Sequence, residues 1–303
     1  MRTAYLGTSE FAGTVLRPVA DSTHRPALVV TPPDRPRGRG RRLSSPPAAE
    51  AARELDLELH QTASVNSPES LEVIRAVDPG AIAVCAFGQL IKEPLLSERT
   101  MLNVHPSLIP RWRGAAPIER ALLAGDPTTG VTIMRVTEGL DSGPVALREV
   151  IEIAPDDDYA SLSGKLADLG GELLVLALDR LESGDLDFTE QDDSLATYAE
   201  KISPDERHLR PTVPAAELER TVRALTPHIG AHLELDDGEW LGVRTAHAVP
   251  DGPPPGTIEA RGDQLLLGSA VGALQLEVVQ PPGKKPMSAA DFLRGHAPPS
   301  EAR

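Results

Sequence analysis

At 303 residues the chain exceeds what a single hydrophobic core usually fills, so two domains are expected. Its 40% hydrophobic and 25% charged residues exclude a disordered chain, and a single cysteine, Cys85, excludes disulfides, thiolate metal sites and CxxC redox chemistry. A formal net charge of −15 argues against a polyanionic partner for the surface as a whole, yet Arg35, Arg37, Arg39, Arg41 and Arg42 fall within eight residues and make one patch strongly basic.

The opening MRTAYLGTSEFAG has one Arg and only a short apolar run, unlike a signal peptide, and no later segment reaches membrane-spanning length. A cytoplasmic location without membrane attachment is expected. The first strand, RTAYLG, runs into GTSEFAG, where Gly7 and Gly13 lie too far apart for a GxGxxG dinucleotide turn and Ser9 can cap the helix that follows. PALVV is a second strand. After it, PPDRPRGRGRRLSSPP (32–47) is too rich in Pro, Gly and Arg for helix or strand and is expected to be a mobile loop beside the ligand crevice. Its arginines suit phosphates, although on composition alone a solvated basic loop is an equal reading.

Helical segments AAEAARELDLEL and SPESLEVIRAVD lead to the apolar strand AIAVCAF, where Cys85 reads as a buried small hydrophobe. MLNVHP, the helix APIERALLAG and the strand GVTIMRV continue the alternation that marks βαβ units and a mostly parallel, helix-covered sheet. In such sheets ligands bind beyond the carboxyl ends of the strands. Asn103 and His105, two apart on an extended strand, project to one face, and Pro106 and Pro110 stiffen the chain after them. A carboxamide donor beside an imidazole meets the needs of a developing oxyanion and a moving proton, but such a pair serves structure more often than chemistry. A third member is Asp141, bracketed by Gly139 and Gly143 in TEGLDSGPV after GVTIMRV; in a parallel sheet that turn and His105 would share one edge. A turn Asp that bonds only its own backbone is the alternative. The trio lacks a Ser or Cys nucleophile, which favours direct transfer.

A long helix, YASLSGKLADLGGELLVLALDRLESG, closes this half. The expected domains are residues 1–189, a polar linker over 190–206, and residues 207–303, where a helix and short runs with turn signals indicate a small antiparallel barrel. His208, His228, His232, His247 and His296 are scattered without ligand spacing apart from His228 and His232, where a Gly interrupts any helix that could align them, so no metal is expected.

NVHPSLIPRWRGAAPI followed by GVTIMRVTEGLDSG resembles the core of the folate-dependent formyltransferases, with support from YLGTSEFA, the basic loop and QPPGKKPMSAADFLRG (280–295). The resemblance covers nearly the whole chain; it is loosest from Arg207 to Ala224, where the family usually has a Trp-containing entry to the second domain, and AFGQ departs from the usual Tyr-containing version. It implies a Rossmann-like α/β domain followed by an OB-like barrel. The implied activity is transfer of the formyl group of 10-formyltetrahydrofolate to the methionyl amine of initiator tRNA, by direct attack through a tetrahedral intermediate. By resemblance Asn103, His105 and Asp141 match the catalytic trio, and Ser107, Leu108, Ile109 and Pro110 match the folate-contacting segment. Arg35 to Arg42, with Lys284 and Lys285, become candidates for tRNA contact, and Phe11 for the methionyl pocket, a plain core role being equally open. Arg111, Trp112 and Arg113 are open between holding the loop and touching tRNA. Nothing demands more than a monomer. The nearest rivals change the acceptor to a sugar nucleotide, or to water in a hydrolase; the basic loop and GKKPMSAADFLRG argue against both.

Overall fold

A computed structural model describes residues 1–37, 42–236, 238–297 and 299–302. The first unit comprises residues 1–117, 128–152 and 163–199, and the second 118–127, 153–162 and 200–303. Among the described residues no helix is long and apolar enough to cross a membrane.

In the first unit, β1 (Thr3–Gly7) is buried along its whole length, as its uninterrupted apolar run requires. It leads into α1 (Glu10–Asp21), where Ser9 Oγ accepts the Ala12 N–H at 3.2 Å and caps the first turn. Then follow β2 (Pro26–Thr31), β3 (Arg35–Arg37), β4 (Arg42–Ser44), α2 (Pro47–Glu54), β5 (Leu59–Gln61), α3 (Pro68–Ala76), β6 (Ala81–Cys85), α4 (Leu95–Glu98), β7 (Thr100–His105) and β8 (Arg113–Gly114); α5 (Pro117–Ala124) comes next in the chain and from Ile118 on belongs to the second unit. The strands β9 (Thr128–Arg135) and β10 (Val145–Glu152) precede the long helix α6 (Tyr159–Ser183) and β11 (Tyr198–Ala199). The main sheet has the order β10-β9-β7-β6-β1-β2-β5. Five strands are parallel, while β9 runs against β7 and β10 against β9.

The direction of β9 corrects the expectation that GVTIMRV ends at the same edge as MLNVHP. Its last residue, Arg135, pairs with Leu102, and His105 pairs with Thr132 in its middle. Strand periodicity reports which residues are extended and which face they take, and it carries no direction. The basic stretch differs as well. Among its described residues, expected to be a structureless loop, Arg35–Arg37 and Arg42–Ser44 pair as two short antiparallel strands, with Arg35 opposite Ser44 and Arg37 opposite Arg42. Backbone pairing is indifferent to side-chain charge, so Pro and Arg content did not reveal it.

Helix α6 packs closely on β7 at Gly170 and on α1 at Gly171. A Cβ at Gly170 would stand 2.9 Å from Val104 Cγ1, and one at Gly171 would stand 2.3 Å from Pro18 Cγ. The expected linker 190–206 is not uniform: up to residue 199 it belongs to the first unit, and β11 pairs in parallel with β8. A two-residue strand has no periodicity to read.

The second unit contains α7 (Ala215–Leu225), β12 (Ala231–Glu234), β13 (Trp240–Val249), β14 (Ile258–Arg261), β15 (Gln264–Gly268), β16 (Ala273–Gln280), β17 (Met287–Ser288) and α8 (Ala289–Gly295). The order β12-β13-β16-β15-β14 is antiparallel throughout, with β17 added on β16. Its two edges meet on residues 300–302, where Glu301 bridges Thr257 and Ala302 bridges Leu235. That contact closes the sheet into the barrel form expected for this region. The core is built from Leu218, Val222, Leu233, Val243, Leu274 and Phe292 with their neighbours.

Candidate active site

The site is built around the carboxyl end of β7. Asn103 and His105 alternate with buried Leu102 and Val104, and both therefore lie on the same face. His105 is only 4% exposed. Its Nε2 donates to the Trp112 carbonyl at 2.9 Å. A carbonyl can only accept, so Nε2 carries a hydrogen and Nδ1 is the nitrogen left to gain or lose a proton. Nδ1 faces Asp141 Oδ2 at 3.7 Å, which is ion-pair distance and too long for a hydrogen bond. Asn103 stays half-buried, and no hydrogen bond ties up its carboxamide among the described residues.

Asp141 reaches His105 on the loop between Arg135 and Val145, which doubles back from the far end of β9. The Arg135 N–H donates to the Pro144 carbonyl at 3.0 Å, and a Cβ at Gly143 would come 1.9 Å from Arg135 O, so the loop can fold this tightly only with glycine there. Oδ2 of Asp141 also accepts the Gly114 N–H at 2.8 Å. Asp141 and Trp112 both have positive φ, 48° and 66°. For a residue other than glycine that conformation costs about 1 kcal/mol, and it is held only where neighbours over-determine it.

Those neighbours come from the stretch expected as linker. The Arg113 guanidinium, in a residue 3% exposed, donates from Nε and Nη2 to Gln191 Oε1 at 3.0 and 2.7 Å and from Nη2 to Asp193 Oδ1 at 2.7 Å. Gln191 Nε2 in turn donates to the carbonyls of Asp141 and Gly143 at 2.9 and 2.6 Å. Thr197 Oγ1 accepts the Trp112 N–H at 2.9 Å, and the Thr197 carbonyl accepts the Arg113 N–H at the same distance. One segment thus ties the loop that receives His105 to the loop that carries Asp141. Sequence reasoning missed Gln191, Asp193 and Thr197 because isolated polar residues in a stretch without period carry no signal. Arg113 is resolved as a buried clamp, while Arg111 is exposed and lies over the Trp112 ring at 4.3 Å.

The four residues after His105 divide into two pairs. Ser107 and Ile109 are fully buried; Ser107 Oγ donates to the Arg111 carbonyl at 2.7 Å, and its own carbonyl accepts from Thr132 Oγ1 at 2.7 Å. Leu108 and Pro110 present partial surface. On the adjacent strand end, after β6, Ala86 and Gly88 are exposed with φ of 43° and 74°. Strand ends at Cys85 and Val104 are paired, so these loops leave the sheet side by side. Cys85 is buried, and burial pushes its thiol up to about 12 despite a hydrogen bond with Tyr5 that pulls the other way.

Phe11 is 8% exposed and belongs to the core. Arg35 is exposed on the basic ribbon. Arg37 and Arg42 are placed there by their backbones, and Arg39 and Arg41 lie outside the described residues. Lys284 and Lys285 are exposed in a turn of the second unit. Among the described residues no three His, Cys, Asp or Glu side chains gather as a metal site.

Comparison with known proteins places this geometry. Residues 1–178 match the formyl transferase family and residues 201–297 match the formyl transferase C-terminal domain. The chain is 43% identical over 301 residues to the methionyl-tRNA formyltransferase of Methylococcus capsulatus, covering 98% of this chain and 97% of that protein. It is 42% identical to the corresponding protein of Halorhodospira halophila, covering 97% and 96%. Among solved structures, HypX from Aquifex aeolicus in complex with tetrahydrofolic acid superposes with a TM-score of 0.68 at 18% identity over 97% of this chain and 47% of that one, a likeness of fold. The chain belongs to the methionyl-tRNA formyltransferase family.

Proposed function

We propose that this chain transfers the formyl group of 10-formyltetrahydrofolate directly to the amine of methionyl initiator tRNA, with Asn103, His105 and Asp141 as its catalytic residues. The observation that carries the assignment is the pairing of His105 Nδ1 with Asp141 at 3.7 Å beside Asn103, at a strand end in a chain of this family. Half-exposed Leu108 and Pro110, with the backbone around Ala86 and Gly88, fit a flat, largely apolar ligand and would hold the folate. When bound, that co-substrate supplies the formyl group.

The chain's own residues do the rest. Asn103 donates its carboxamide N–H to the oxygen on which negative charge develops as the amine attacks. His105, with Nε2 fixed on the Trp112 carbonyl, takes at Nδ1 the proton that the attacking amine gives up and returns it to the folate nitrogen whose bond to the formyl carbon breaks, while Asp141 balances the transient imidazolium charge. The Gly114 N–H, donated to Asp141 Oδ2, holds the carboxylate in place beside the imidazole. Ser107 and Ile109, buried under the wall, keep Leu108 and Pro110 in register.

For the acceptor, Arg35, Arg37, Arg39, Arg41 and Arg42 on the basic stretch and Lys284 and Lys285 in the second unit are assigned to tRNA phosphates. Phe11, though largely buried, is assigned to the methionyl pocket. Incubation of the purified chain with 10-formyltetrahydrofolate and charged tRNA tests the reading. Formylmethionyl-tRNA made from initiator and not elongator tRNA is expected, and no product at all would overturn it.

A further inference from the structure

The second unit carries a pocket of about 420 Å³ whose lining includes Arg207, Gly230, His232, Trp240, Gly242 and Arg244. Two features of it bear on a ligand. The first is positive charge. The chain carries 45 acidic against 30 basic residues, and several of its arginines are matched with carboxylates, as in Arg17–Glu54, Arg75–Glu98 and Arg210–Asp205. Arg207 and Arg244 are instead held by neutral acceptors. Arg207 donates to the carbonyls of Gly230 and Ile229 at 3.0 and 2.9 Å, and Arg244 donates to Gln280 Oε1 at 2.9 and 2.6 Å. Neither has a carboxylate at ion-pair distance among the described residues. Both guanidiniums are fixed in place with their charge unspent, the arrangement that suits an incoming anion.

The second feature is aromatic. Trp240 is 45% exposed; its ring packs edge-on against His232, with centroids 4.1 Å apart, and His232 stacks with His208 at 5.8 Å. Burial first, then the nearby charges of Arg207 and His208, pull the His232 imidazole down to about 4 against the opposing effect of Glu234. It is therefore a neutral ring at physiological pH. Gly230 lets the Arg244 guanidinium lie against the backbone, since a Cβ there would come 2.2 Å from Arg244 Nη1. An anion site next to an exposed indole is the chemistry of a nucleotide: phosphate on the guanidiniums, base on the ring. Continuity decides between a nucleotide in a chain and a free one. Gln280, which holds Arg244, donates from Nε2 to the Lys284 carbonyl at 2.8 Å, so the pocket adjoins the turn bearing Lys284 and Lys285. Positive charge therefore runs on beyond a single phosphate.

We propose that this pocket receives one unpaired nucleotide of the tRNA substrate, its base against Trp240 and its phosphate on Arg207 and Arg244. The inference rests on the tRNA reading given above and adds to it a specific seat for one base. The chain has two tryptophans, so in a Trp112→Phe background Trp240 is the sole indole and is excited selectively at the red edge, where the three tyrosines do not absorb. Titration with uncharged initiator tRNA is expected to quench it, and Arg244→Gln in the same background is expected to weaken that binding roughly tenfold. With Trp112 intact, Trp240→Leu and Arg244→Gln are each expected to raise KM for methionyl-tRNA about tenfold while leaving kcat and the folate KM unchanged. Trp240 is exposed, so its variant keeps the test open if Arg244→Gln fails to fold. Unchanged tRNA affinity in the Trp240→Leu variant overturns the proposal. Quenching by AMP but not by tRNA also overturns it, in favour of a free-nucleotide site. If the chain makes no formylmethionyl-tRNA, the fluorescence titration still decides whether the pocket binds RNA.

Discussion

Replacing Gln191 by Leu should slow the reaction without weakening substrate binding. Gln191 accepts two hydrogen bonds from Arg113 and donates two to the carbonyls of Asp141 and Gly143. Leucine has similar bulk and makes none of them. At about 1 kcal/mol per bond, reduced because the residue is half-buried and water can enter, the fold should lose roughly 2–3 kcal/mol. The kinetic effect has a separate origin. Asp141 sits at φ 48°, and without the Gln191 donor its loop can relax towards a more ordinary backbone, moving the carboxylate away from His105. A displacement of about 1 Å in such a pair costs on the order of 10²-fold in rate, so kcat is expected to fall ~10–100-fold with KM for both substrates changed less than about threefold. Steady-state formylation and urea unfolding measure the two effects separately. Gln191→Glu sharpens the contrast: it keeps an acceptor for Arg113 but sets a carboxylate against two carbonyls, so it should recover much of the stability and little of the rate. A Gln191→Leu enzyme that loses stability and keeps its kcat would refute the argument that this residue positions Asp141.

Three further outcomes follow from individual sites. Cys85, buried and raised to about 12, should not react with iodoacetamide at pH 8 in the folded chain and should react in full once the chain is unfolded in guanidinium. The Arg120 guanidinium, hydrogen-bonded to Glu206, holds that carboxyl down at about 2, below its ordinary 4.5. The stability it lends is therefore present above about pH 4.5 and lost as pH falls towards 2, so the gap in melting temperature between the native chain and Glu206→Gln should close over that range. At Gly143 an alanine Cβ would lie 1.9 Å from Arg135 O, and Gly143→Ala should cost at least about 2 kcal/mol in denaturant unfolding and displace the Asp141 loop.

What was legible beforehand depended on whether the physics was local. The apolar runs of β1, β6 and β7 and the turn after β7 could be read because burial on both faces and proline stiffness are written in consecutive residues. Ser9 as a helix cap was legible for the same reason. The direction of β9 was not, since antiparallel and parallel strands share one alternation, and Asp141 meets His105 by a doubled-back loop and not by a shared sheet edge. The roles of Gln191, Asp193 and Thr197 exist only in tertiary pairing with residues about 80 or 50 positions away. Positive φ at Trp112 and Asp141 was equally hidden, because nothing in a Trp or Asp signals a left-handed backbone as a glycine does.

The most direct test of the account is the single-turnover rate of formyl transfer from 10-formyltetrahydrofolate to methionyl initiator tRNA, compared between the native chain and Asn103→Ala. Formylmethionyl-tRNA should form rapidly with the native chain, and the variant should be slower by about two to three orders of magnitude at saturating concentrations of both substrates. A variant that transfers at a near-native rate would contradict the placement of the oxyanion at Asn103, and a native chain that makes no formylmethionyl-tRNA would contradict the proposed function itself.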